Sequence, residues 1–238
     1  MSAWLEYKKV KRTGFIPLFL IGGILSAAVP VTNMVFRAEM YIGMSGTPVQ
    51  ILLGANWQLM AMFNVLVIVT GTCLLYHIEY DNNSIQKLKS LPIHEGQVFL
   101  GKAVLVVMMY LVALVTEAAA VIFCSIHWFV TGDGFWTELC QNFVYMFIIG
   151  LPCIALSLMV SEACKNMWIS LGIGVICVFM ASILPEEPFF LSLFPFSMPF
   201  KILAGTEHAV IYIYASAAWI AVTSLAELVF IKIRRSLE

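Results

Sequence analysis

AVLVVMMYLVALVTEAAAVIF, residues 103–123, is apolar on every side of a helix. Its length matches the ~20 residues that cross a hydrocarbon core about 30 Å thick. A helix on the surface of a soluble domain keeps one polar face, whereas a lipid-embedded helix needs none. Outward from it, the same pattern recurs over Gly14–Val35, Asn56–Tyr76, Phe143–Val160, Met167–Leu184 and Ala209–Ile231. Of 238 residues, 61% are hydrophobic and 11% charged, far from the balance of a soluble domain. Together these predict an all-α integral membrane protein with six transmembrane helices, one transmembrane domain over residues 1–238. A net charge of −1 gives no basis for binding nucleic acid.

Lysine and arginine set the orientation. Lys8, Lys9, Lys11 and Arg12 precede the first span, and Lys87, Lys89 and Lys102 follow the second. Lys165 follows the fourth, and Lys232, Arg234 and Arg235 follow the sixth. All fall on one side if both termini are cytoplasmic, which leaves Arg37 and Lys201 outside. The basic start feeds a full-length span with no small-residue cleavage site, so no cleavable signal is expected. Ser2 to Arg12 puts Trp4, Tyr7 and Val10 on one side and Lys8, Lys9 and Arg12 on another, which predicts an interfacial helix.

The one long polar stretch on the cytoplasmic side runs from His77 to Lys102. Its centre, Glu79 to Ile93, predicts a short amphipathic helix. Asp81, Asn82 and Asn83 supply capping oxygens and negative charge at the start, Lys87 and Lys89 lie in the last turn, and Pro92 stops it. Ile85, Leu88 and Leu91 share a face, suited to contact with a soluble partner. On the opposite side, Pro185 to Phe200 combines four prolines with five phenylalanines, among them Phe189, Phe190, Phe194 and Phe196, beside Glu186 and Glu187. Proline forbids one continuous helix there, and the apolar content forbids a plain hydrated loop. A re-entrant or surface-lying hairpin fits both. Glu39 to Asn56 is also too apolar for an ordinary loop and is expected to rest on the outer leaflet.

Glu117 lies near the middle of the third span, where an unpaired charge costs several kcal/mol. Ala113 and Ala120 share its stripe and predict a narrow face against another helix. Either it lines a path for a cationic substrate, or it is neutral or hydrogen-bonded at a helix contact. Asn64 in the second span allows the same two roles. The six cysteines occur singly, with no metal-ligand spacing. Cys124 and Cys140 flank one external loop, which leaves a pair between them open. No phosphate-binding Gly-x-x-x-x-Gly-Lys-Ser/Thr motif is present, nor a zincin or nucleophile-elbow motif. No catalytic residue is therefore assigned, and any nucleotide-driven work requires another chain.

This organisation resembles the type-2 ABC exporter permeases. The run Tyr76-His77-Ile78-Glu79, then Lys87-Leu88-Lys89-Ser90-Leu91-Pro92-Ile93, then Gly101-Lys102 resembles their lantibiotic-immunity branch. The resemblance implies that Asp81 to Leu91 is a coupling helix docking on an ATPase, and that Pro185 to Phe200 caps the exit. It implies a bacterial plasma-membrane complex with two ATPase copies that bind ATP and Mg, and a second, related but different permease. The implied cargo is a hydrophobic cationic peptide drawn from membrane lipid. A small drug, a lipid-linked precursor or an ion remains an alternative cargo, and a non-transporting membrane scaffold an alternative role.

Overall fold

The computed structural model describes residues 3–11, 13–81, 95–164, 166–183, 189–203 and 208–237. Among these every regular element is a helix. They are α1 (Ala3–Val10), α2 (Phe15–Ile42), α3 (Pro48–Asp81), α4 (Glu95–Trp128), α5 (Phe135–Ala163), α6 (Met167–Ile183), α7 (Phe189–Ser192) and α8 (Ala209–Leu237). A 3-10 turn covers Met198–Phe200.

Five of these helices (α2, α3, α4, α5 and α8) are long and apolar enough to cross a membrane. The sixth expected span, α6, is a shorter apolar helix of 17 residues, about 25 Å long. The long helices outrun the predicted spans. With 34 residues α3 is about 50 Å long, well beyond a ~30 Å core. Glycine marks two of the starts: Gly14 (φ 82) and Gly134 (φ 95) adopt a left-handed backbone that lets the chain turn before α2 and α5.

Two expectations are corrected by this extra length. Glu39 to Asn56 does not rest on a leaflet as a loop. Its first residues complete α2, and Pro48, at a first helical position that needs no N–H partner, opens α3. Val49, Leu52 and Leu53 are then buried in the bundle, which accounts for their apolarity. Likewise Glu79 and Asp81 extend α3 rather than open a separate short helix. Asn82, Asn83, Ile85, Lys87, Leu88, Leu91 and Pro92 lie outside the described residues.

The centre of the bundle is α3. It packs against α2, α4, α5, α6 and the 3-10 turn, and 67% of its apolar window is buried. By contrast α8 packs mainly on α5, and only 17% of its window is buried. Small residues allow the closest approaches. A Cβ on Gly22 would fall 2.2 Å from Val67 Cγ2, and one on Gly23 would fall 3.1 Å from Ala113 Cα. So α2 meets α4 nearly backbone to backbone, while the Val67 side chain of α3 lies directly on the α2 backbone at Gly22. The narrow face expected beside Glu117 is this contact, since Ala113 and Ala120 are both buried. At the opposite edge α1 packs on α4, burying Val10 and closing with a Thr13 Oγ1 hydrogen bond to Val10 O of 2.8 Å.

With the shorter α6 counted, the six apolar helices alternate in direction, so the start of α2 and the end of α8 lie at one end of the bundle. Three pairs fix this end: Lys102 of α4 lies over Tyr76 of α3, Tyr76 bonds Glu162 of α5, and Ile231 of α8 lies 3.9 Å from where a Cβ on Gly96 would sit. All six cysteines are free; Cys124 is buried and Cys140 exposed.

Candidate functional site

At mid-height, α3 and α4 face each other through Asn64 and Glu117. Asn64 Nδ2 donates to Glu117 Oε2 at 3.2 Å, and Glu117 is 0% exposed. Its Oε1 has no hydrogen-bond partner among the described residues. Ser26 of α2, also buried, bonds Met60 O of α3 at 3.4 Å. The two polar residues singled out within the second and third spans are therefore brought together, on an enclosed seam.

A second polar layer joins α3, α5 and α6 closer to the termini. Ser161 Oγ lies 3.3 Å from Thr72 Oγ1 and accepts from Ser170 Oγ at 3.2 Å, while Cys73 Sγ is 3.2 Å from Ser170 Oγ. Hydroxyls in adjacent helices satisfy one another where water is absent. Beyond this layer Tyr76 OH donates to Glu162 Oε2 at 2.8 Å, and Lys102 Nζ sits 3.7 Å from the Tyr76 ring centroid. Lys102 is 1% exposed. Sequence inspection missed this group. Each member sits at a span end, where Tyr, Glu and Lys are ordinary interface residues, and only the fold brings them into contact.

The hairpin between α6 and α8 is drawn into the bundle. Glu186 and Glu187 lie outside the described residues, as does the Phe189 side chain. Phe190 is exposed on α7, Phe194 half-buried, and Phe196, Met198 and Phe200 are buried. Phe196 lines the same small cavity as Thr72, Ser157 and Ser161. Three side chains hold the hairpin in place. Trp57 Nε1 donates to Pro199 O and Trp219 Nε1 to Leu193 O, each at 2.8 Å, and Ser192 Oγ lies 2.7 Å from Tyr212 OH. Pro195 and Pro199 cannot donate from the backbone, so carbonyl-to-side-chain bonds replace a helical ladder.

Between the hairpin, α6 and α8 lies a cavity of about 560 Å³. Its lining is almost wholly apolar: Ile176, Cys177, Met180 and Ala181 from α6; Phe190, Leu191, Leu193 and Phe194 from the hairpin; Ala215, Ala218, Trp219 and Val222 from α8. Such a volume is in the range that holds a small ligand or a few side chains of a larger one. Away from the membrane-buried layers, Thr47 Oγ1 bonds Glu138 Oε1 at 2.8 Å and Asn33 bonds Asn56, tying the α2–α3 connection to α5 and α2 to α3.

A family model described as "ABC-2 family transporter protein" matches residues 3–181. No curated protein and no solved structure matches the chain.

Proposed function

This chain belongs to the ABC-2 transporter family, and from that premise we propose that it clears a hydrophobic cationic peptide of the lantibiotic type from the membrane. Membership makes it a multi-pass membrane transport subunit, not itself catalytic, that works with an ABC ATPase. The observation that carries the cargo class is the apolar cavity under the hairpin. An amphipathic peptide lying in the outer leaflet presents an apolar face, and an almost wholly apolar cavity favours that face over water. The loop run ending in Leu91-Pro92-Ile93 and Gly101-Lys102 supports the same branch of the family.

In this proposal the termini end is cytoplasmic, as the clustered lysines and arginines there favour. The bacterial plasma membrane is the location, ATP and Mg bind two ATPase copies, and Asn82 to Leu91 is the docking segment. A second, related permease completes the complex. For that contact α8 is the better candidate face. Close helix contact needs small residues; Gly22 and Ser26 of α2 are consumed inside the chain, whereas Ala217 and Ala221 of α8 stay exposed. Glu117, paired with Asn64 and enclosed, serves here as a helix-joining group.

Leu88→Glu tests the reading by placing a charge on the apolar face of the docking segment. An anchor of this kind is often worth about 2 kcal/mol or more, roughly a thirty-fold loss of affinity. The variant is expected to lose ATPase co-purification and peptide-resistant growth together, at unchanged permease level. A cytoplasmic ATPase can reach this loop only in the stated orientation, so the experiment checks that too. Undiminished co-purification would move docking elsewhere, and a wild-type complex that gives sensitive cells no protection would require a different cargo.

A further inference from the structure

Lys102 is an unusual residue to find at 1% exposure in an apolar bundle. Removing an ammonium from water costs several kcal/mol unless something replaces the lost solvation. Here the Tyr76 ring face lies 3.7 Å from Nζ, well inside the ~6 Å over which an aromatic quadrupole attracts a cation. The phenol on that ring donates at 2.8 Å to Glu162 Oε2. A phenol hydrogen-bonded to a carboxylate carries more electron density on its ring, so the Glu162 charge strengthens the hold on Lys102 through Tyr76. Three helices are joined in one polar chain.

The placement of this chain is what gives it a role. Tyr76 lies five residues before the end of α3 and Lys102 in the second turn of α4, so they bracket residues 82–94 from both sides. Glu162 is the penultimate residue of α5, a helix not joined to that loop in the chain. We propose that Lys102, Tyr76 and Glu162 are positioning residues, a tie that passes displacement of the loop between α3 and α4 to α5. This rests on the reading of the loop as the point where the ATPase acts. The alternative is simple space-filling, which any side chain of similar volume would satisfy. Methionine matches the lysine stem without its charge, whereas arginine keeps a cation that stacks on aromatic rings.

The test uses the full chain, with its co-purifying ATPase, in lipid nanodiscs. Lys102→Arg, Lys102→Met and Tyr76→Phe are compared for bound ATPase, ATP turnover per bound ATPase, and amide hydrogen exchange over the last turn of α5. A tie predicts equal ATPase binding by all three. Lys102→Arg should remain within about two-fold of wild type, while Lys102→Met and Tyr76→Phe lose on the order of ten-fold in permease-dependent turnover, the loss expected for one hydrogen bond to a charged group. Exchange at the end of α5 should accelerate in Lys102→Met and not in Lys102→Arg. Methionine performing as well as arginine, in turnover and exchange, would overturn the tie. If the wild-type chain retains no ATPase, the loop reading fails separately. The exchange comparison then decides the tie alone: faster exchange in Lys102→Met upholds it and equal exchange overturns it.

Discussion

At mid-height α3 offers Asn64 to Glu117 of α4, and near its end the same helix offers Tyr76 to Glu162 of α5 and to the ammonium of Lys102. Both junctions set a carboxylate-bearing side chain against α3, Glu117 fully buried and Glu162 half-buried, and they are built differently. Glu117 has a neutral amide on one oxygen and no partner among the described residues on the other. Glu162 has a phenol donor, and a cation lies over the face of that phenol's ring. The difference follows depth. Ionic chemistry costs least near a span end, where long side chains and water can reach, and most at the bilayer centre. The end junction is therefore expected to depend on charge, and the central one on shape and hydrogen bonding.

The sharpest way to break this contrast is to reverse the charge at the end junction. Lys102→Glu would place an acid over the negative face of the Tyr76 ring, on the same phenol that already serves Glu162. A cost of about 3–5 kcal/mol is expected, the scale for breaking a buried charged contact. Measured as thermal aggregation in detergent, near-wild-type stability of this variant would show the junction to be solvated and the contrast false.

A smaller effect is expected where the central seam depends on shape. Gly23→Leu would put a Cβ 2.8 Å from Thr116 Oγ1, a hydroxyl already bonded to Ala113 O at 2.7 Å, and 3.1 Å from Ala113 Cα. Backbone cannot retreat as a flexible side chain can, so α2 and α4 must part. Overpacking of this kind costs about 1–3 kcal/mol. Disulfide trapping between cysteines introduced on α2 and α4 should slow markedly in the variant. Unchanged trapping would mean the seam accommodates bulk.

The smallest effect belongs to Glu117→Gln. The amide keeps the volume and can still bond Asn64. Interhelical hydrogen bonds average about 0.6 kcal/mol in the membrane bundle where many have been measured. Normal assembly, stability within about 1 kcal/mol of wild type and full peptide protection are expected. Loss of protection in a stably assembled variant would instead place Glu117 on the cargo path.

Glu117 and Asn64 were legible because each is a lone polar side chain in an apolar run, and such exceptions stand out without a structure. Tyr76, Lys102 and Glu162 were not, because tyrosine, lysine and glutamate at a span end are what any interface contains. The hairpin was legible as a break, since four prolines forbid a helix, but its depth was not. Phe196 meets Thr72 and Ser161 only because the fold leaves a small cavity for it. Glu39 to Asn56 misled for a related reason. An apolar stretch beyond a predicted span reads as a surface-seeking loop when it is in fact the continuation of two helices longer than the bilayer requires.

Apolar runs, charge placement and proline alone determined that this chain is helical, that it belongs in a membrane, and roughly where its helices begin and end. That an ABC ATPase works with it follows from family membership over residues 3–181. Which helix occupies the centre, which small residues are used within the chain and which are left outside were decided by tertiary structure. A membrane helix is apolar on every face, so hydropathy tells depth along its axis and nothing of rotation about it. Rotation is set by close packing: Gly22 against Val67, Gly23 against Ala113, Gly174 against Val69. Those contacts put α3 in the core and leave Ala217 and Ala221 on the open face of α8.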